Sequence, residues 1–123
     1  MSSQENLGDK ELSIEQQESG DELRLVWRGK SNDREPGRLL MPVLTQALGR
    51  SLAAGKRLTL DFTSLEYMNS STFAPIVKML DEATKGQGRV LLEFSQALRW
   101  QALSFSALKA FETPDGRIRL LGR

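Results

Sequence analysis

The chain has 123 residues, a length sufficient for one domain with one sizeable core, and a formal net charge of +1. Its 39% hydrophobic and 27% charged residues are typical of a globular protein, and the near-neutral charge argues against a nucleic-acid partner. The sequence contains neither Cys nor His, which excludes disulfides, thiolate chemistry, imidazole catalysis and metal sites built on those ligands. We therefore expect no metal, no cofactor and no enzymatic activity.

Nothing in the sequence predicts a membrane or secretory segment. No stretch approaches the roughly 18 apolar residues that a membrane-spanning helix needs. The first residues, MSSQEN, lack the basic region and apolar run of a secretory signal. We expect a cytoplasmic protein without membrane insertion.

The N-terminal third predicts a leader followed by a hairpin. Residues 1–10 are polar and without periodicity, so we interpret them as a flexible leader before a domain that spans residues 11–123. Alternating apolar residues at 11–17 and 23–28, separated by the turn-like sequence ESGD, predict two antiparallel strands.

The first helix is marked at both ends. Pro36 suits a first helical turn, and an apolar stripe over residues 39–52 continues the helical pattern until Gly55, which predicts its end. Pro42 lies inside this stripe, where it predicts a kink or a later start of the regular helix.

The remainder alternates between strand and helix patterns. Gly86 predicts a helix end with positive φ, and the apolar run RVLLEF predicts a strand buried on both faces. The predicted elements are a strand at 58–62, a helix at 71–85, a strand at 89–94, a helix at 97–111 and a strand at 118–120. The order β-β-α-β-α-β-α-β predicts a single layered α/β domain, with a mixed, mostly parallel sheet of about five strands.

A polar cluster, Asn69-Ser70-Ser71-Thr72, opens the second helix directly after a buried strand. Such residues are common helix caps, and on composition alone capping is the favoured interpretation. Position adds a functional alternative, because sites in α/β sheets gather beyond the carboxyl ends of parallel strands. A helix start also favours negative charge, so the cluster could hold an anion or carry a covalent phosphate. Asp61, within the strand, is interpreted as structural rather than catalytic.

Residues 60–73, LDFTSLEYMNSSTF, resemble the signature of STAS domains, the family of bacterial anti-sigma-factor antagonists. The family pattern is a buried strand ending in Leu-Asp, a short loop, and then Asp-Ser-(Ser or Ala)-Gly-Leu opening a helix. The resemblance extends over residues 12–121, and Leu103, Ala107 and Leu108 match the family's Leu…Gly-Leu pattern, with Ala107 in the Gly position. It implies a STAS-like fold.

The resemblance also implies a site and partners. Ser70 matches the serine that is phosphorylated in the antagonists, where the kinase is the partner itself, an ATP-binding anti-sigma factor, and a PP2C-type phosphatase reverses the modification. The sequence departs from the pattern at Asn69, which replaces Asp, and at Thr72, which replaces Gly. Ser71 and Thr72 are therefore alternative candidates for phosphorylation.

The leading hypothesis is a regulatory module that binds a protein partner through one surface and is switched by phosphorylation of Ser70. The residues of this predicted surface are Met68, Asn69, Ser70, Ser71, Thr72 and Phe73. Two alternatives stay open: an unphosphorylated scaffold subunit of a transporter or signalling complex, and a module that binds a small ligand or nucleotide. The oligomeric state also stays open, with a homodimer among the options.

Two further features carry expectations. The charged loop with Lys30, Arg34 and Arg38 is interpreted as solvated, with a position near the polar cluster as the alternative. Trp27 and Trp100 are expected to be half-buried.

Overall fold

A computed structural model describes residues 5–8 and 11–123 as a six-stranded sheet with three helices. The strands are β1 Glu5–Asn6, β2 Leu12–Ser19, β3 Glu22–Ser31, β4 Arg57–Met68, β5 Val90–Phe94 and β6 Ile118–Gly122. The helices are α1 Gly37–Ala54, α2 Phe73–Lys85 and α3 Arg99–Ser106, with 3₁₀ turns at Ser70–Thr72 and Ala107–Phe111.

The sheet is mixed and mostly parallel. Its order is β1-β2-β3-β4-β5-β6; β1, β2 and β3 pair antiparallel, and β3 to β6 pair parallel. This confirms the predicted α/β fold, with all five predicted strands and three predicted helices in the predicted order. The buried side chains of the three helices pack with Leu25, Leu60 and Leu92 in one core on a single face of the sheet.

The strand β1 lies within the segment that the sequence predicts as a flexible leader. The Leu7 backbone N–H donates to the Ile14 carbonyl oxygen at 2.7 Å, and Asn6 Oδ1 accepts from the N–H of Gly8 at 2.9 Å. Residues 5–8 are thus placed at the edge of the sheet. The sequence did not predict this strand, because two residues are too few to show an alternation of apolar and polar side chains. The rest of the leader, residues 1–4 and 9–10, lies outside the described residues, and the boundary at residue 11 stays a prediction.

Strand β4 continues to Met68, six residues beyond the strand that the sequence predicts. Its pairing with β3 shifts register twice, between Val26 and Arg28 and between Gly29 and Lys30, and each time β4 contributes one extra residue. Gly29 has φ +84°, and a Cβ there would lie 2.1 Å from the Glu11 carbonyl oxygen, so only glycine fits. These bulges break the period-two pattern and hide the second half of the pairing from sequence reasoning.

The helix ends differ in how they are closed. Gly55 has φ +67° and its N–H donates to Leu52 O, which confirms the predicted end of α1. Gly86 has φ −102°, so the predicted positive φ is wrong. The Arg117 guanidinium donates to the carbonyl oxygens of Ala83 and Gly86 at the end of α2, so this end needs no left-handed residue.

Aromatic rings fill the centre of the core. The ring centroids of Trp27 and Phe62 are 4.7 Å apart, as are those of Phe62 and Phe105. Trp27 is completely buried, so the expectation that it is half-buried is wrong, because its strand lies in the middle of the helix-covered face. Trp100 is half-buried as expected and packs against Phe105.

The opposite face of the sheet carries a network of charges. Arg24 Nη1 donates to Asp61 Oδ2 at 2.9 Å and to Glu93 Oε1 at 2.7 Å, and Arg24 Nε donates to Glu22 at 2.8 Å. Arg57 donates to the second oxygen of Glu22 at 2.7 Å. These pairs join three parallel strands by charge on the face that the described helices do not cover.

Candidate functional site

The polar cluster lies at the carboxyl end of the parallel strands. Ser31 and Met68, the last residues of β3 and β4, are paired in register, and the Asn69 backbone N–H donates to the Ser31 carbonyl oxygen at 2.9 Å. The 3₁₀ turn Ser70–Thr72 follows and leads directly into α2. The strand register therefore sets where the cluster sits, as the sequence predicts for a site in this fold.

Asn69 caps the turn and also anchors the neighbouring loop. Its Oδ1 accepts from the Thr72 backbone N–H at 3.1 Å and from Thr72 Oγ1 at 2.8 Å. Its Nδ2 donates to the Asp33 carbonyl oxygen at 2.7 Å. An ionised aspartate could accept both bonds from Thr72 but could not donate to Asp33. This second bond is a physical reason for asparagine at a position where the STAS pattern has aspartate.

Thr72 is a buried structural residue. Its side chain is 0% exposed, and Thr72 Oγ1 lies 2.7 Å from Ser31 Oγ. Because Asn69 Oδ1 can only accept, Thr72 donates its hydroxyl proton to Asn69 and accepts the hydroxyl proton of Ser31. The Thr72 hydroxyl is fully used inside the protein.

Ser70 and Ser71 differ from Thr72 in both burial and bonding. Both are exposed, and neither hydroxyl makes a hydrogen bond within the part of the chain that the structure describes. They stand at the start of α2, where unpaired backbone N–H groups favour negative charge. Two free hydroxyls at a helix start are the chemically available groups of this cluster.

The remaining predicted surface residues are less accessible. Met68 is buried, and Phe73 is half-buried with its ring centroid 5.8 Å from that of Phe105. The structure thus brings all six predicted residues to one place and exposes Ser70 and Ser71 among them. We name these six residues, Met68 to Phe73, the β4–α2 surface.

The charged loop before α1 lies beside this surface, since Asp33 accepts from Asn69. Lys30, Arg34 and Arg38 are all exposed, and Arg38 is paired with Glu35 at 2.6 Å. Tyr67, 49% exposed, is a neighbour that the sequence analysis did not select. The sequence predicts that β4 ends at Phe62, and only the structure shows that the strand continues and places Tyr67 beside the β4–α2 surface.

Gln101 is a second residue that the sequence analysis missed. It is completely buried, donates through Nε2 to the carbonyl oxygens of Phe62 at 2.6 Å and Leu65 at 2.9 Å, and accepts from the Ser95 N–H at 2.8 Å. It therefore fixes the last stretch of β4 from α3. A polar side chain on the buried side of a predicted helix, in step with Phe105 and Leu108, was the available signal.

Asp61 has the structural role that the sequence predicts. Its Oδ1 accepts from the Thr63 backbone N–H at 3.0 Å and from Thr63 Oγ1 at 2.6 Å, while Oδ2 accepts from Arg24. Within the described residues, no group of three or more acidic side chains could hold a metal ion. No helix over residues 5–8 and 11–123 is long and apolar enough to cross a membrane.

Solved structures match the fold over almost the full length of this chain. SiaC of Pseudomonas aeruginosa matches with a TM-score of 0.58 and 21% identity, covering 98% of this chain and 99% of SiaC. The chain shares the fold of SiaC. The crystal structure of apo-SiaC from Pseudomonas aeruginosa matches similarly, with a TM-score of 0.57, 20% identity and 98% coverage of both chains. No protein-family model matches the chain, and no curated protein matches its sequence.

Proposed function

We propose that this chain is a regulatory protein–protein interaction module that binds a partner through the β4–α2 surface and is switched by phosphorylation of Ser70. The observation that carries the proposal is the contrast within the hydroxyl cluster. Ser70 and Ser71 are exposed and unbonded among the described residues, whereas Thr72 is buried and bonded to Ser31 and Asn69.

The physical effect of such a modification is large for so small a surface. A phosphoserine adds about −1.5 to −2 charges at neutral pH. The described residues of the 3₁₀ turn and the first turn of α2 carry no acidic side chain, so the added charge would dominate the local field. The start of α2 stabilises that charge within the protein, while a partner shaped for a neutral surface is repelled.

The choice of acceptor follows from accessibility. A kinase must bring ATP to the hydroxyl, and Thr72 could be reached only after its bonds to Asn69 and Ser31 had broken. Ser71 is the neighbouring alternative to Ser70, which is preferred because it matches the modified serine in the STAS register. Thr72 is the least favoured of the three.

The partner class comes from the STAS resemblance. We propose an ATP-binding kinase of the anti-sigma type as the partner, and a PP2C-type phosphatase as the enzyme that reverses the modification. The chain itself acts without catalysis, since the sequence has no His or Cys to serve as base or nucleophile. A cytoplasmic location fits this role.

The first experiment asks whether a phosphate is attached, and where. The purified protein is incubated with cell lysate and ATP, and its intact mass and tryptic peptides are then measured. We expect one added phosphate on Ser70, none on Thr72, and loss of the addition in Ser70→Ala. An unmodified protein under these conditions would favour the unphosphorylated scaffold.

The second experiment asks whether the charge matters for binding. Partner retention is compared for the native chain, Ser70→Ala and Ser70→Asp, with Ser19→Asp as a control that adds the same charge at the exposed end of β2. We expect Ser70→Asp to weaken binding by about tenfold or more, since a charge desolvated against a partner that offers it no counter-charge is costly. Equal retention by all four proteins would refute the switch.

A further inference from the structure

A second surface lies at the opposite end of the sheet. Where β4, β5 and β6 begin, a cleft of about 360 Å³ opens on the sheet face that carries the charge network. Its walls are formed by Arg57, Arg89, Arg117 and Arg119, and Leu91 and Leu121 form much of its floor.

The four guanidinium groups are used to different extents. Arg117 donates to four main-chain carbonyl oxygens around the end of α2 and pairs with Asp115 at 3.1 Å. Arg89 donates once, to Gly55 O at 2.8 Å, and Arg57 pairs with Glu22 at 2.7 Å. Arg119 is exposed and makes no hydrogen bond or ion pair with any described residue.

The cleft concentrates positive charge in a chain that is otherwise balanced. None of the described residues that line it is acidic, and the two carboxylates bonded to its walls, Glu22 and Asp115, offset Arg57 and Arg117 only. Arg89 and Arg119 remain without an acidic partner among the described residues. The formal net charge of the whole chain is only +1, so this is a local excess and not a general property.

The floor adds an apolar contact. Leu121 is 39% exposed, and Leu91, on the adjacent strand, is nearly buried. Arginine is enriched in protein-binding hot spots and pairs with carboxylates in a forked geometry, and the exposed Leu121 beside it offers apolar area for a partner.

We infer that this cleft, formed by Arg57, Arg89, Arg119, Leu91 and Leu121, binds an acidic segment of a partner protein. Carboxylates of that segment pair with Arg119 and Arg89, and an aliphatic side chain between them covers Leu121. A small free anion is the weaker fit, because it would pair with the guanidiniums but leave the exposed Leu121 uncovered.

This surface is independent of the proposed switch at Ser70. The cleft starts at Arg57, the first residue of β4, whereas Ser70 lies two residues beyond Met68, the last, so the 12-residue strand places the two sites roughly 35 Å apart. Charges in solution are screened over about 8 Å at physiological ionic strength, so a phosphate at Ser70 does not reach the cleft. The chain could then release one partner while holding another.

The test uses the full-length protein and a short synthetic peptide of alternating Glu and Leu residues. A titration followed by ¹H–¹⁵N NMR is expected to shift the amide signals of Leu91, Arg119 and Leu121, with an affinity that falls as salt rises. Arg119→Glu is expected to weaken peptide binding by about tenfold or more, as is usual when a rim charge is reversed against a charged ligand. Arg119→Gln should give a smaller loss.

The matched control is Arg99→Glu, an exposed arginine of α3 without a described partner, located beyond the carboxyl end of β5. It should bind the peptide as the native chain does, and so should Ser70→Asp, whatever the fate of the proposed switch. The inference is overturned if the peptide causes no shifts at the cleft, or if Arg99→Glu loses as much affinity as Arg119→Glu. It is also overturned if inorganic phosphate shifts these signals while the peptide does not.

Discussion

The hydroxyl oxygens of Ser31 and Thr72 lie 2.7 Å apart, and both side chains are buried. This contact joins the end of β3 to the turn that opens α2, across 41 residues of sequence. Together with the Asn69 bonds it turns a run of four polar residues into two structural groups, Asn69 and Thr72, and two exposed groups, Ser70 and Ser71.

We predict that Thr72→Val lowers the free energy of unfolding by about 1–3 kcal/mol, because the Ser31 hydroxyl loses its acceptor in a buried site. Thr72→Ser keeps the hydroxyl and should cost only about 1 kcal/mol, the value of a methyl group. Urea denaturation measures both changes. If Ser31→Ala combined with Thr72→Val is as unstable as the sum of the single variants, the two hydroxyls do not interact.

We predict that the two roles of Asn69, capping the turn and holding the loop at Asp33, can be measured separately. Asn69→Ala removes the cap and should lower stability by about 1–2 kcal/mol. Asn69→Asp keeps the acceptor for Thr72 but loses the donor to Asp33, so faster amide hydrogen exchange is expected in the loop of residues 32–35 with little change at residues 70–72. Exchange that stays equal to the native rate in that loop would show that the Asp33 bond does not hold it.

Gln101 should be essential for the end of β4. Gln101→Leu leaves the Phe62 and Leu65 carbonyl oxygens and the Ser95 N–H without their partner, and we expect a loss of about 2–4 kcal/mol in unfolding free energy. Leu103→Ala, at a 70% exposed position of the same helix, should change stability by about 0.5 kcal/mol or less. Similar losses for the two variants would contradict the role assigned to the buried amide.

Glu22 gives the protein a predictable acid dependence. Burial opposes ionisation of its carboxyl, but hydrogen bonds from Arg24, Arg57 and Thr59 outweigh that effect and lower its pKa from 4.5 to about 2. Since the folded pKa lies below the unfolded one, this stabilisation is fully present above pH 4.5 and is lost as pH falls towards 2. It amounts to about 3 kcal/mol.

The variant Glu22→Gln should therefore be less stable than the native chain at pH 7 and should lose less stability between pH 4.5 and 2. Thermal or urea unfolding at several pH values measures the difference. Glu35→Gln, which removes a highly exposed carboxylate paired only with Arg38, is the matched control and should follow the native curve. Parallel curves for Glu22→Gln and the native chain would refute the prediction.

Local patterns were sufficient for the three helices and for five of the six described strands, in their order. Burial of one face or both produces a recognisable spacing of apolar residues. This spacing is seen as alternation in the hairpin, as apolar stripes in α1 and α2, and as a continuous apolar run in β5. The polar helix start was equally visible, because capping residues are recognised by type and position. The sequence also removed most catalytic chemistry, since it holds no His and no Cys.

Contacts between distant residues were beyond such patterns. The pairing of β4 with β3 out to Met68 passes through two bulges in β4, the end of α2 depends on Arg117, and the alignment of β4 with α3 depends on Gln101. A Ser or Thr residue reads the same in the sequence whether its hydroxyl is buried or exposed, so the sequence alone could not rank the hydroxyls in the cluster by exposure. Only the packing of β3 against β4 decided that Thr72 holds the structure together while Ser70 and Ser71 face solvent.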